Sequence, residues 1–276
     1  GYLDGFLDTY HLNASITLGN HHFNENILVA YHTESTNFKK MGGIVGLSFQ
    51  GLARNQNPNF INTLIHEKII DHYIFAVKLN FKQPDQSFIT FGGYDEKFIA
   101  KGQRLVYYPI PDHQKEYRLS IRSVEIGDQR LNITEGLLDT GNTCISIPDQ
   151  YTDHILAEFK TESNHCYFKD ERGNTQFKIL ECLVRNFDEL PLLHIHMHDQ
   201  TLTISKEHYL DKCHPKDEGS HYKCSTLLEN VKNRYEIFLG DTFFLNYYAV
   251  FDLEQRRIGL VKNNDIPTLK YIILDK

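Results

Sequence analysis

The segment Gly136-Leu137-Leu138-Asp139-Thr140-Gly141-Asn142-Thr143-Cys144-Ile145-Ser146-Ile147-Pro148 carries the sharpest chemical signal in the chain. An apolar run leads into an aspartate, a small hydroxyl residue and a glycine follow, and a proline then opens a helical stretch. A carboxylate held at the end of a buried strand is placed for acid or base work, and the glycine lets backbone approach a ligand or a second carboxylate closely. Taken alone, Asp-Thr-Gly also fits a strand-to-turn corner in which the aspartate caps the loop. A second pattern, His194-Ile195-His196-Met197-His198, puts three imidazoles on one strand face by its period of two. Alternate strand positions span a distance that rarely converges on one ion, so this pattern reads as a solvated strand face, with no metal and no cofactor expected.

Positioning that carboxylate requires strands, and the chain is rich in them. Alternating runs such as Ala14-Ser15-Ile16-Thr17-Leu18, Phe88-Ile89-Thr90-Phe91 and Leu119-Ser120-Ile121-Arg122-Ser123-Val124, together with the strand-like Leu105-Val106-Tyr107-Tyr108, are separated by turn signals at Gly19-Asn20, Gly92-Gly93, Gly127-Asp128 and Gly173-Asn174. Only Asn59 to Ile70, Pro148 to Phe159 and Lys206 to Leu210 read as helical. The expectation is an all-β barrel or sandwich architecture, with the aromatic run Phe243 to Phe251 alternating as in a strand pair and the tail from Lys262 onward as an extension. The 276 residues suffice for two domains, and Pro109-Ile110-Pro111-Asp112 is the natural junction. A charged fraction of 24% and an apolar fraction of 41% describe an ordinary globular chain. The net charge of −7, without a basic run, argues against a nucleic-acid partner. No stretch reaches the roughly 18 apolar residues of a membrane helix.

Five cysteines, Cys144, Cys166, Cys182, Cys213 and Cys224, leave at least one outside any bridge, and no pair has the C-x-x-C spacing of a zinc knuckle or redox site. Two disulfides among them allow about 15 pairings. The sequons Asn13-Ala14-Ser15 and Asn132-Ile133-Thr134 fit a secretory route.

The Asp139 segment resembles the second active-site motif of the pepsin-like aspartic proteases, and other segments agree with that family in order and spacing. Gly240-Asp241-Thr242-Phe243-Phe244-Leu245-Asn246-Tyr247-Tyr248-Ala249-Val250-Phe251-Asp252 with Arg257-Ile258-Gly259-Leu260 resembles the carboxyl-terminal signature. Gly43-Ile44-Val45-Gly46-Leu47-Ser48 and Phe88-Ile89-Thr90-Phe91-Gly92-Gly93-Tyr94-Asp95 resemble two segments of the amino-terminal lobe. The resemblance implies a bilobal all-β fold and a water held between two aspartates that share a proton, since two carboxylates in contact cannot both ionise cheaply. It implies Asp139 as the catalytic residue of the carboxyl-terminal lobe. Thr140 would brace the two aspartate loops, Gly141 would bring backbone to the carboxylates, and Asn142 and Thr143 would stand at substrate-contacting hydroxyl positions. Cys144 reads as a small buried apolar residue. Phe38, Met41, Ile44 and Tyr117 fall where the family lines its pocket, or are core. Asp241 matches a structural position, and Cys182 matches a half-cystine that pairs downstream with Cys213 or Cys224. Peptide or protein substrates, a monomer and a secreted or lysosomal/vacuolar location are implied with the family.

No second Asp-[Thr/Ser]-Gly exists in the sequence. Phe6-Leu7-Asp8-Thr9-Tyr10 puts a bulky ring where the glycine belongs, and 35 positions to Gly43 leave too little chain for the intervening hairpin and strands. Tyr2-Leu3-Asp4-Gly5 instead resembles the tip of the flap that closes over substrate, with Tyr2 its aromatic. On that alignment, residues 1–110 are the amino-terminal lobe from the flap onward, truncated before its own aspartate, and 111–276 are the carboxyl-terminal lobe. A homodimer pairing two Asp139 copies is disfavoured by the amino-terminal lobe already present. The alternative to a protease lacking one segment is a non-catalytic relative that binds peptides or proteins in the cleft.

Overall fold

Strand-forming runs condense here into four antiparallel or mixed sheets, seen in a computed structural model that describes residues 7–33, 43–52, 58–80, 83–170, 176–216 and 220–263. The chain opens with β1 (Leu7–Leu18) and β2 (His21–Thr33), then α1 (Phe60–His66), β3 (Ile74–Lys78), β4 (Phe88–Phe91) and β5 (Val106–Pro109). It continues with β6 (Arg118–Ser120), β7 (Ser123–Ile126), β8 (Gln129–Leu131), β9 (Glu135–Leu138), β10 (Ile145–Pro148) and α2 (Thr152–Phe159). Next come β11 (Asn164–Asp170), β12 (Phe177–Val184), β13 (Leu193–His196), β14 (Thr201–Ile204), α3 (Lys206–Tyr209), β15 (Leu210–Lys216) and β16 (His221–Val231). The described chain closes with β17 (Ile237–Leu239), α4 (Asp241–Asn246), β18 (Tyr247–Asp252) and β19 (Arg257–Lys262). The all-β class is as expected.

β1 and β2 form a long hairpin turned at Gly19, whose φ of +59° suits a residue without Cβ. α1 starts where the Asn59 side chain accepts the Asn62 N–H at 2.9 Å. It ends before the expected Ile70 because Lys68 turns left-handed at φ +56°. The five-stranded sheet runs β4-β3-β18-β19-β5, so strands from before residue 110 are hydrogen-bonded to the last two strands described. That join is tightened by the buried Lys78 ammonium, which donates to Asn263 Oδ1 at 2.6 Å, and by Asn263 Nδ2, which donates to the Leu79 and Leu245 carbonyls. Phe75 stacks on Phe251 with centroids 4.5 Å apart, and Tyr117 packs edge-on against both. Such contacts contribute beyond the area they bury.

Two sequence expectations change on the strand scale. The run Leu119 to Val124 is split between β6 and β7, because the Ile121 and Arg122 N–H groups donate to the Thr134 and His196 carbonyls instead of continuing one ladder. The aromatic run Phe243 to Phe251 is half helix. Gly240 accepts from the Phe243 and Phe244 N–H groups, so α4 forms and buries both rings fully before β18 begins. Phe243, Phe244 and Tyr247 fall at i, i+1 and i+4, a helical spacing, and the adjacent pair breaks strand alternation.

An eight-stranded sheet, β11-β12-β16-β10-β17-β9-β6 with β15 on β16, carries the Asp139 segment and both disulfides. Cys182 pairs upstream with Cys166, which faces it directly across β11 and β12, and Cys213 pairs with Cys224 across β15 and β16. This corrects the expected downstream pairing of Cys182. Cys224 does lie opposite Cys182 in register, but each takes its outer neighbour. Cys144 is buried outside both bridges, as expected. The sequon residues Asn13 and Asn132 are both exposed.

Candidate active site

The Asp139 loop leaves β9 and returns as β10, and these two strands do not pair with each other. β17 lies between them, parallel to β9 and antiparallel to β10. The loop is therefore pinned from one side by a single short strand and the turn that follows it. Leu239 accepts the Asp139 N–H at 3.1 Å, the Gly240 N–H donates to the Cys144 carbonyl at 3.1 Å, and the Asp241 N–H donates to the Asn142 carbonyl at 2.8 Å. Thr242 adds two donors, its N–H and its hydroxyl, both to the Thr143 carbonyl. Below the loop, Leu138 donates its N–H to the Tyr117 carbonyl. The apolar lead Leu137-Leu138 is buried while Asp139, Thr140, Gly141 and Thr143 are exposed, so the carboxylate stands at the rim of a rigid base.

Within the loop, the Gly141 N–H donates to Asp139 Oδ1 at 2.9 Å, which fixes one carboxylate oxygen and leaves the other outward. A Cβ on Gly141 would meet that same oxygen at 3.0 Å, tighter than ordinary contact. The Thr140 hydroxyl makes no hydrogen bond among the described residues. Asn142 is half-buried and points inward: its Nδ2 donates to Ser146 Oγ at 2.7 Å and to the Cys144 carbonyl at 3.1 Å. Ser146 in turn donates to Glu229 Oε1 on β16, both residues being buried. Asn142 thus supports the loop from beneath. Ser146 and Glu229 were not singled out from sequence. The local hint was a carboxylate directly after Leu227-Leu228 and two positions before Val231, where burial would demand a partner.

Asp241 follows Gly240 in the same turn. Burial, and then the Asp139 charge beside it, push its carboxyl up to about 6. The proton is held more tightly in the folded than in the unfolded chain, so Asp241 favours the fold at acid pH and loses that contribution as pH rises toward and through about 6. Asp241→Asn is therefore expected to leave urea stability unchanged near pH 4 and to raise it near pH 7.5. Allowing for partial exposure, the gain is about 1–2 kcal/mol. Denaturation curves at the two pH values check the sign.

Among the other residues expected at the site, Tyr117 belongs to the core, its hydroxyl donating to the Leu47 carbonyl, and Ile44 is half exposed. Tyr2, Phe38 and Met41 lie outside the described residues. The histidine face is as anticipated, with Leu193, Ile195 and Met197 inward and His194 and His196 outward, though β13 ends at His196 and His198 lies beyond it.

The eukaryotic aspartyl protease family matches residues 1–263, and the chain belongs to that family. It is 27% identical over 235 residues to the probable vacuolar protease A of Trichophyton verrucosum, covering 82% of this chain and 53% of that protein. Mouse gastricsin is 26% identical over 275 residues, covering 94% of this chain and 64% of gastricsin. Chicken pepsin A is 21% identical over 225 residues, 79% of this chain and 54% of the pepsin. The chain thus spans about half to two thirds of the length of the relatives it matches. No described helix is long and apolar enough to cross a membrane.

Proposed function

We propose that this chain is the larger part of an aspartic endopeptidase, in which Asp139 is one of two carboxylates that share a proton and activate water. The observation that carries this reading is the Asp139 loop itself. An outward carboxylate is held by the Gly141 N–H and pinned at Asn142, Thr143 and Cys144 by the turn after β17, in a chain of this family. The pair would divide the work: the ionised carboxylate takes a proton from water as it attacks the peptide carbonyl, and the protonated one donates to the carbonyl oxygen. The second carboxylate is not supplied by another Asp-[Thr/Ser]-Gly in these 276 residues, and we assign it to a preceding segment. Residues 1–110 would then belong to the amino-terminal lobe and 111–276 to the lobe that carries Asp139. Thr140, with its hydroxyl unused among the described residues, would brace the facing aspartate loop, and Tyr2 would sit on the flap.

Protein substrates, an acidic optimum and a secreted or lysosomal/vacuolar location follow from the same reading. They are supported by two disulfides, by Asp241 holding its proton up to about 6, and by the vacuolar protease name carried by one relative. The experiment compares the product of the full gene with the 276-residue chain on a denatured protein substrate from about pH 3 to pH 8. The full product should cleave, fastest below neutrality, and the chain alone should not. A full product without activity at any pH would favour the non-catalytic, peptide-binding reading.

A further inference from the structure

The sequon Asn132-Ile133-Thr134 forms the crossing from β8, in the four-stranded sheet, to β9, in the eight-stranded sheet. Its middle residue is its anchor: Ile133 is fully buried, while Asn132 and Thr134 on either side are exposed. The backbone is held at three points. The Tyr151 hydroxyl donates to the Asn132 carbonyl at 3.0 Å, the Ile133 N–H to the Leu131 carbonyl at 2.9 Å, and the Ile121 N–H to the Thr134 carbonyl at 2.9 Å. The side chains of Asn132 and Thr134 make no hydrogen bond among the described residues.

The other sequon, Asn13-Ala14-Ser15, is exposed too but differently built. It lies within β1, with Asn13 opposite Asn26 and Ser15 opposite Asn24 in the ladder to β2. Asn13 Nδ2 donates to Asn26 Oδ1 at 3.0 Å, so the nitrogen that a sugar would take is already engaged. The two sequons also differ in when they reach their native form. β1 and β2 are neighbours joined by a tight turn, and such hairpins close within microseconds. β9 is hydrogen-bonded between β6 and β17, and β17 lies about 100 residues further on, so the Asn132 loop stays open until that stretch has been made.

We propose that Asn132 carries an N-linked oligosaccharide and that Asn13 does not. In the transfer, Asn132 Nδ2 bonds to C1 of the first sugar of a lipid diphosphate oligosaccharide. The C1–O bond to the diphosphate breaks, the lipid diphosphate leaves with that electron pair, and the displaced amide proton passes to a base. Donor and transferase belong to the secretory pathway, a passage that the two disulfides support. Thr134 supplies the hydroxyl that the acceptor motif requires two positions after the asparagine. In the folded chain the sugar displaces no hydrogen bond and projects from a turn that the buried Leu131 and Ile133 hold in place. β9 stands between Asn132 and Asp139, roughly 20 Å of extended chain, so the glycan is clear of the Asp139 loop. The proposal does not depend on the catalytic reading.

The test passes the full gene product through the secretory pathway of a cultured eukaryotic cell. Its tryptic peptides are treated with peptide N-glycosidase in heavy-oxygen water, which labels each asparagine that carried a glycan, and are read by mass spectrometry. Label is expected at Asn132 and not at Asn13. N132Q should lose one glycan step in electrophoretic mobility, and T134A should lose the same step with the asparagine still present. Both positions are exposed, so neither change burdens the fold. S15A should leave the mobility as it is. An unlabelled Asn132, a mobility unchanged by N132Q and T134A, or label at Asn13 equal to that at Asn132 would each overturn the proposal.

Discussion

Gly240→Ala is expected to disrupt the carboxyl-terminal part of the fold. A Cβ at that position would stand 2.3 Å from the Asn142 carbonyl oxygen and 2.5 Å from that of Cys144. Both are backbone atoms of the Asp139 loop, and both already accept hydrogen bonds from this turn, so neither can retreat without breaking the bonds from Gly240 and Asp241. The loop would be pushed off β17, and α4, which starts at Asp241 and buries Phe243 and Phe244, would shift with it. We expect a loss exceeding about 4 kcal/mol, in the range reserved for disrupted cores. Gly93→Ala serves as the control: it has open space around it and an ordinary φ, and should cost no more than about 0.5 kcal/mol. Urea unfolding of the two variants against the parent chain checks both figures, and a Gly240→Ala protein as stable as Gly93→Ala would show that the close approach is not needed.

Much of this site was legible in the sequence because its demands are local. An apolar lead, an aspartate and a glycine two positions later are what a carboxylate at a strand end requires, and Gly240-Asp241 could be matched to a known signature. What escaped is non-local. The substrate-contacting role expected of Asn142 comes from the family resemblance; the buried Ser146 and Glu229 that hold its side chain inward come from a position four residues on and from β16, 83 residues further. The split of Leu119 to Val124 depends on carbonyls at Thr134 and His196 that no alternation pattern contains. The strand expectation for Phe243 to Phe251 holds only for its second half; Phe243, Phe244 and Tyr247 have helical spacing, and α4 starts from its cap at Gly240. The disulfides illustrate the same limit. Cys182 faces Cys166 on one side and Cys224 on the other, so spacing alone left the choice open.

The second large effect concerns Asp139. Asp139→Asn keeps an oxygen where the Gly141 N–H donates at 2.9 Å, and the side chain is exposed, so the fold should be untouched and thermal unfolding should match the parent. The chemistry should not survive. An amide can neither take a proton from water nor hold the proton shared between two carboxylates, and removing an acid–base partner typically costs about 10²-fold to 10⁴-fold in rate. The measurement is kcat/KM for a peptide substrate with the full gene product, parent and Asp139→Asn side by side at the optimal pH. We expect a loss of at least about 10²-fold with unchanged KM and unchanged thermal stability. An Asp139→Asn protein that retains the parent's kcat would contradict the assignment of this loop as half of a catalytic pair.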